Sequence, residues 1–149
     1  MIHGAQLIPR VRHADDRGYV TEILRSDEPH FQRFGQAYVT TSREGVVKAW
    51  HKHEKQTDHF YVVSGTMKVA LYDDREASPT AGQYQIEILG EQGQDALLII
   101  PNHVWHGFMS LAPFSALINI PTEPYNHDAP DEIRAPWDAF DDVWTIRHR

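Results

Sequence analysis

His51 and His53 stand two residues apart, and Asp58 follows His53 by five. On an extended strand, residues two apart share a face, so both imidazoles point the same way, joined there by Val47 and Ala49. Two imidazoles side by side on an inward face are costly unless something satisfies them. A divalent ion would do so without adding a proton, and a hairpin would return Asp58 beside the pair as a further donor. The chain has no cysteine, which excludes a thiol nucleophile, a disulfide framework, cysteine zinc sites and iron–sulfur clusters. Any metal must therefore be held by imidazole, carboxylate or water. His59, next to Asp58, should face the opposite way as a core residue, and it stays open as an alternative to Asp58.

The elements that must position these groups are short β-like runs parted by turn residues, expected at 18–24, 36–41, 46–53, 59–63, 66–72, 84–89, 96–100, 107–111 and 115–120. Ser64-Gly65 supplies a positive-φ corner and Ser78-Pro79 a fixed φ. No sustained 3.6-residue periodicity calls for long helices, so the pattern reads as an all-β sandwich or barrel. The 149 residues suit a single domain over 1–149, with a core at about 13–127 and a tail, 128–149, wrapping the surface in loops and one turn near 136–140. Net charge is −7 with no basic run, which argues against a nucleic-acid partner. No apolar run is long enough to span a bilayer, and no leader pattern is visible, so a cytoplasmic protein without a membrane partner is expected.

Written out, Gly45-x5-His51-x-His53-x4-Asp58-x6-Gly65 resembles the first signature of the cupin superfamily, with Asp where Glu is usual. Gly93 followed by Pro101-Asn-His103-Val-Trp-His106 resembles the second, with His103 where glycine is usual. The resemblance implies a double-stranded β-helix jelly roll. It also implies that His51, His53, Asp58 and His106 hold one divalent metal; such donors suit Zn, Fe, Mn, Ni or Co and leave positions for water or substrate.

A narrower resemblance runs from about residue 13 to 127. Asp16-Arg17-Gly18-Tyr19 with Glu22, Gln36 with Ser42, Gly45-Val-Val-Lys-Ala-Trp-His51, Asp74-Arg75-Glu-Ala-Ser78-Pro79-Thr80, Ile100-Pro101-Asn-His-Val-Trp-His106-Gly107-Phe108 and Pro124-Tyr125-Asn126 occur in order. They are similar to motifs of the dTDP-4-dehydrorhamnose 3,5-epimerase family. The resemblance implies an isomerase or epimerase acting beside the C4 ketone of a nucleotide-linked sugar through an enolate. His51 matches the family's base. The family's acid tyrosine falls on Asn119, which cannot protonate a carbanion, so the classical two-base 3,5-epimerisation is not expected. His53 and Asp58 replace a Gln and a Lys of the family, which would turn a metal-free site into a metal site.

If His51 binds metal it is no free base, and metal-bound hydroxide, Tyr38, Tyr61 or His103 then stand as alternative proton carriers. Arg17, Gln36, Lys48 and Asn119 are expected at the substrate, with a fork-shaped Arg suited to pyrophosphate. Trp50 and Trp105 should face away from the site and pack. The resemblance implies a homodimer in which the N-terminal strand region crosses to the partner. The alternatives are a metal-dependent cupin oxygenase or lyase on a small non-nucleotide substrate, and a non-catalytic sugar-binding cupin, because fold does not fix function.

Overall fold

The computed structural model describes residues 1–146; the end of the tail, with His148, lies outside the described residues. Those residues form strands and no helix: β1 (Gln6–Pro9), β2 (Arg12–Asp15), β3 (Gly18–Thr21), β4 (Tyr38–Arg43), β5 (Val47–Lys52), β6 (Asp58–Ser64), β7 (Thr66–Tyr72), β8 (Tyr84–Gly90), β9 (Ala96–Ile100), β10 (Trp105–Ser110), β11 (Phe114–Asn119) and β12 (Ile133–Arg134). All pairings between these strands are antiparallel. Two five-stranded sheets result, in the orders β1-β9-β6-β11-β4 and β12-β5-β10-β7-β8, beside a two-stranded ribbon of β2 and β3. From β4 to β7, and again from β9 to β11, successive strands alternate between the sheets. This is the all-β, cupin-like jelly roll that the turn spacing and signatures led one to expect.

Period-two patterning builds the core. Phe60 and Val62 of β6, Leu98 and Ile100 of β9 and Leu117 of β11 face Met67, Val69 and Leu71 of β7, Leu89 of β8 and Phe108 of β10. The alternate residues Tyr61, Leu97 and Ile99 face outward, under Ile23 and Leu24. On the far side of the second sheet, Trp50 and Trp105 pack with Phe140 and Trp144 of the tail, the packing role expected of them. Gly65, at φ 72°, turns the chain from β6 to β7 and so from one sheet to the other.

Two local expectations fail. β5 and β6 lie in different sheets, so Asp58 reaches the histidines from across the core and not along a hairpin. The β5 alternation also breaks. Against β10, His51 pairs with His106 but Lys48 pairs with Phe108, so β5 carries one extra residue there. The bulge moves Lys48 and His51 to the inner face and leaves Val47, Ala49 and Trp50 on the tail side. Opposite it stands Gly107, where a Cβ would sit 2.3 Å from the Ala49 Cβ; only glycine lets the strands approach so closely. The tail differs too. Besides the expected turn, in which the Ala139 N–H donates to the Pro136 carbonyl, it adds β12 alongside β5.

Candidate active site

At one end the sheets splay around a cavity of about 440 Å³. The second sheet supplies Lys48, His51 and His106; the first supplies Tyr38, Thr40 and Leu117; β12 adds Arg134. Tyr38, His53 and Arg134 also border a second cavity, lined further by Gln36, Tyr125 and Asn126. The His51 ring lies 4.7 Å from that of His106 and 6.4 Å from that of His53, centre to centre. Burial, reinforced by the neighbouring His106, pushes the His51 pKa down to about 3, so its imidazole is neutral near pH 7. Among the described residues, neither ring nitrogen of His51 has a hydrogen-bond partner.

Behind these rings sits a buried polar cluster, in which His106 Nε2 has no hydrogen-bond partner among the described residues. Asp58 is 1 % exposed. Its Oδ2 lies 3.2 Å from His106 Nε2 and 3.4 Å from His53 Nε2. Its Oδ1 accepts hydrogen bonds from Gln56 Nε2 and Asn119 Nδ2, both at 2.6 Å. Burial alone would raise this carboxyl, but His106, His53 and the Asn119 hydrogen bond hold it well below the usual carboxylate range. Both neighbouring imidazoles are oriented from behind: His53 Nδ1 donates to the Asp131 carbonyl and His106 Nδ1 to the Val104 carbonyl. Asp131 also accepts the backbone N–H groups of Glu54, Lys55 and Gln56, which fixes the turn after His53.

Both amide hydrogens of Asn119 are committed. The His59 N–H can only donate, so Asn119 Oδ1 faces it at 3.0 Å. The two amide hydrogens then go to Asp58 Oδ1 and to the Tyr38 hydroxyl oxygen, the latter at 2.9 Å. Asn119 is fully buried and makes no contact available to substrate, which corrects its expected binding role.

Other expected residues lie elsewhere. Strand alternation turns Tyr61 to the outer face, where its hydroxyl donates to Asp95. Arg17 occupies the exposed turn of the β2–β3 ribbon, paired with Asp15, and does not line either cavity of its own chain. His103 sits exposed on the turn before β10 at φ 62°, the conformation that explains the usual glycine. It therefore drops out as a proton carrier. His103→Gly is expected to leave turnover unchanged and to alter stability by no more than about 1 kcal/mol, toward gain, because a left-handed residue with a Cβ costs about 1–2 kcal/mol. Denaturant unfolding beside the activity assay checks it. His59 is buried and faces away from Asp58, so it does not displace it. Lys48 does line the cavity, its Nζ held by Thr40 Oγ1 and the Thr41 carbonyl. Glu132 and Arg134 also line the cavity and carry no sequence signal, because the two-residue strand Ile133–Arg134 shows no pattern until it pairs with β5.

The family model described as dTDP-4-dehydrorhamnose 3,5-epimerase matches residues 1–146. The chain is 42% identical over 139 residues to the spore coat polysaccharide biosynthesis protein SpsL of Bacillus subtilis, covering 93% of this chain and 91% of that one. It is 40% identical over 140 residues to a probable low-salt glycan biosynthesis epimerase of Haloferax volcanii, covering 92% and 89%. The crystal structure of a dTDP sugar isomerase from Desulfovibrio desulfuricans superimposes with a TM-score of 0.87 at 36% identity, over 93% of this chain and 87% of that one. Epimerases of this type act without a metal cofactor, which overturns the expected divalent ion. His53, Asp58 and His106 do converge, but His51 is not part of that group, and Asp58 Oδ1 already accepts from two amides. The metal-dependent oxygenase alternative loses its basis with the ion. The chain belongs to the dTDP-4-dehydrorhamnose 3,5-epimerase family, as an enzyme of epimerase-like activity on sugars.

Proposed function

We propose that this enzyme epimerises a nucleotide-linked 4-keto sugar through an enolate, with His51 as the base. The observation that supports the reading most is a neutral, half-buried imidazole with no hydrogen-bond partner among the described residues, lining a cavity between two sheets. Such a ring can take a proton from the carbon beside a ketone. Lys48 supplies a fixed ammonium toward the enolate oxygen, since its two hydrogen bonds leave one of three protons unused. The second cavity, with Gln36, Tyr125 and Arg134, takes the nucleotide part. The test is incubation with dTDP-4-keto-6-deoxyglucose in deuterated water, followed by proton NMR. Deuterium beside the ketone and a new epimer are expected, both unchanged after chelator treatment. Neither product after complete incubation would overturn the reading.

The active form we assign as a cytoplasmic homodimer. Among the described residues no strand pairs with the outer edge of β4, and Val39 on it is 59% exposed. Val11 and Val20 of the ribbon region are 65% and 66% exposed, an apolar surface that suits a second copy. In such a dimer the ribbon carries Arg17 toward the partner's cavity. Sedimentation at micromolar concentration is expected to give twice 17.2 kDa; a monomer would contradict it.

A further inference from the structure

We propose that the hydroxyl of Tyr38 is the proton donor that completes the epimerisation, delivered from β4 and oriented by Asn119. The inference rests on the epimerase reading above and supplies the acid that the family's tyrosine position lacks here. Asn119 and Tyr38 are direct cross-strand partners in the β11–β4 ladder. The phenol thus enters from the strand beside the expected acid position. Because Asn119 donates to the hydroxyl oxygen, the phenolic hydrogen is not consumed by that contact and is available to the cavity. Tyr38 is 42% exposed, so its ring is at the cavity mouth where a substrate passes.

The opposed walls give the stereochemistry. His51 comes from the second sheet and Tyr38 from the first, so a sugar ring between them meets a base on one face and a hydroxyl on the other. In the first step His51 takes the proton beside the ketone; the C–H bond breaks and its electron pair passes to the carbonyl oxygen as the enolate. In the second the enolate pair re-forms the ketone while the carbon takes the Tyr38 proton from the opposite face. The O–H bond breaks with its pair left on tyrosinate. Solvent then protonates the tyrosinate and relieves the His51 imidazolium, so protons balance over the cycle. Burial raises the Tyr38 pKa against the effect of the Asn119 hydrogen bond, which keeps the donor protonated near neutral pH.

Without the donor, the enolate can still regain a proton from His51 on its original face. Tyr38→Phe is therefore expected to keep deuterium wash-in to unepimerised dTDP-4-keto-6-deoxyglucose within a few-fold, while epimer formation falls about a hundredfold or more. The readout is the ratio of wash-in to epimer formation, which does not depend on how much of the variant is folded. A ratio unchanged from the wild type overturns the assignment, as does loss of both signals in a folded variant. Asn119→Ala, which frees the phenol from its holder, should raise the same ratio at least about fivefold; a purely structural role would lower both signals together and leave the ratio where it was. If the wild-type enzyme exchanges no proton at all, the epimerase reading itself fails, and the donor assignment with it.

Discussion

His51→Asn is expected to lower epimerisation and deuterium wash-in together, each by about a hundred- to ten-thousandfold, the usual contribution of one positioned acid–base group. The joint loss separates the base from the donor, since no enolate forms without it. Asparagine approximates the size and polarity of imidazole but cannot accept a proton near neutral pH. The ring makes no hydrogen bond within the described residues, and its backbone stays in the β5 pairing with His106. The fold should therefore survive, with a melting temperature within a few degrees of the wild type. Retention of more than a tenth of the wild-type rate would exclude His51 as the base, and His53 or His106 would then have to be tested in its place.

Much of this site was legible in the chain because cupin strands obey a simple alternation, and the rest was hidden where they depart from it. His53, Asp58 and His106 converge, whereas His51 lies beside His106 and outside that group. Spacing reports proximity and not occupancy. Gln56 and Asn119, which satisfy Asp58, come from a turn and from a strand about sixty residues away. The motif resemblance puts Lys48 at the substrate, but the β5 bulge that turns it inward leaves no mark in a single sequence beyond Gly107 on the facing strand. Tyr38 and Tyr61 looked equivalent as candidates. Strand phase separates them: Tyr61 follows Phe60 and must face outward, whereas Tyr38 shares the inner face with Thr40. Arg134 is held by pairing with β5, and Glu132 by its ion pair with Arg134, rather than by any pattern of their own, so nothing in the tail composition announces them.

Asp58 and Asn119 together suggest how a family member could change acids while keeping its geometry. A tyrosine at 119 would have to find room among Asp58, the His59 amide and Tyr38. An asparagine there instead ties the three together: it anchors the buried carboxylate, caps an N–H inside the sheet and aims a phenol on the next strand. The proton donor then shifts sideways by one strand, about 5 Å. The base stays where it was, on the opposite sheet.

The largest expected loss of stability comes from a residue remote from the chemistry. Asp73 is fully buried and accepts from Arg75 Nε and Nη2, Ser78 Oγ, Thr80 Oγ1 and the Arg75 N–H. That carboxylate organises the loop between β7 and β8, and the loop in turn holds the N-terminus. Arg75 donates to the His3 carbonyl, and Thr80 Oγ1 accepts the His3 N–H, which seats Ile2 in the core. Asp73→Ala leaves Arg75 and two hydroxyls without their acceptor and is expected to cost about 3 kcal/mol, the lower end for breaking a buried pair because Arg75 is partly exposed. The hydrogen bonds from Arg75, then those of Ser78 and Thr80, hold the folded carboxyl well below its ordinary value of 3.8 despite the opposing effect of burial. A depressed folded pKa means that the charged form stabilises the fold fully above that ordinary value and progressively less as pH falls through and below it. Compared with Asp73→Asn, which does not titrate, the wild type should lose about 1 kcal/mol of its advantage between pH 7 and pH 3. Denaturant unfolding of both proteins across that range measures it. A stability difference that stayed constant with pH would show that Asp73 holds the loop by shape alone.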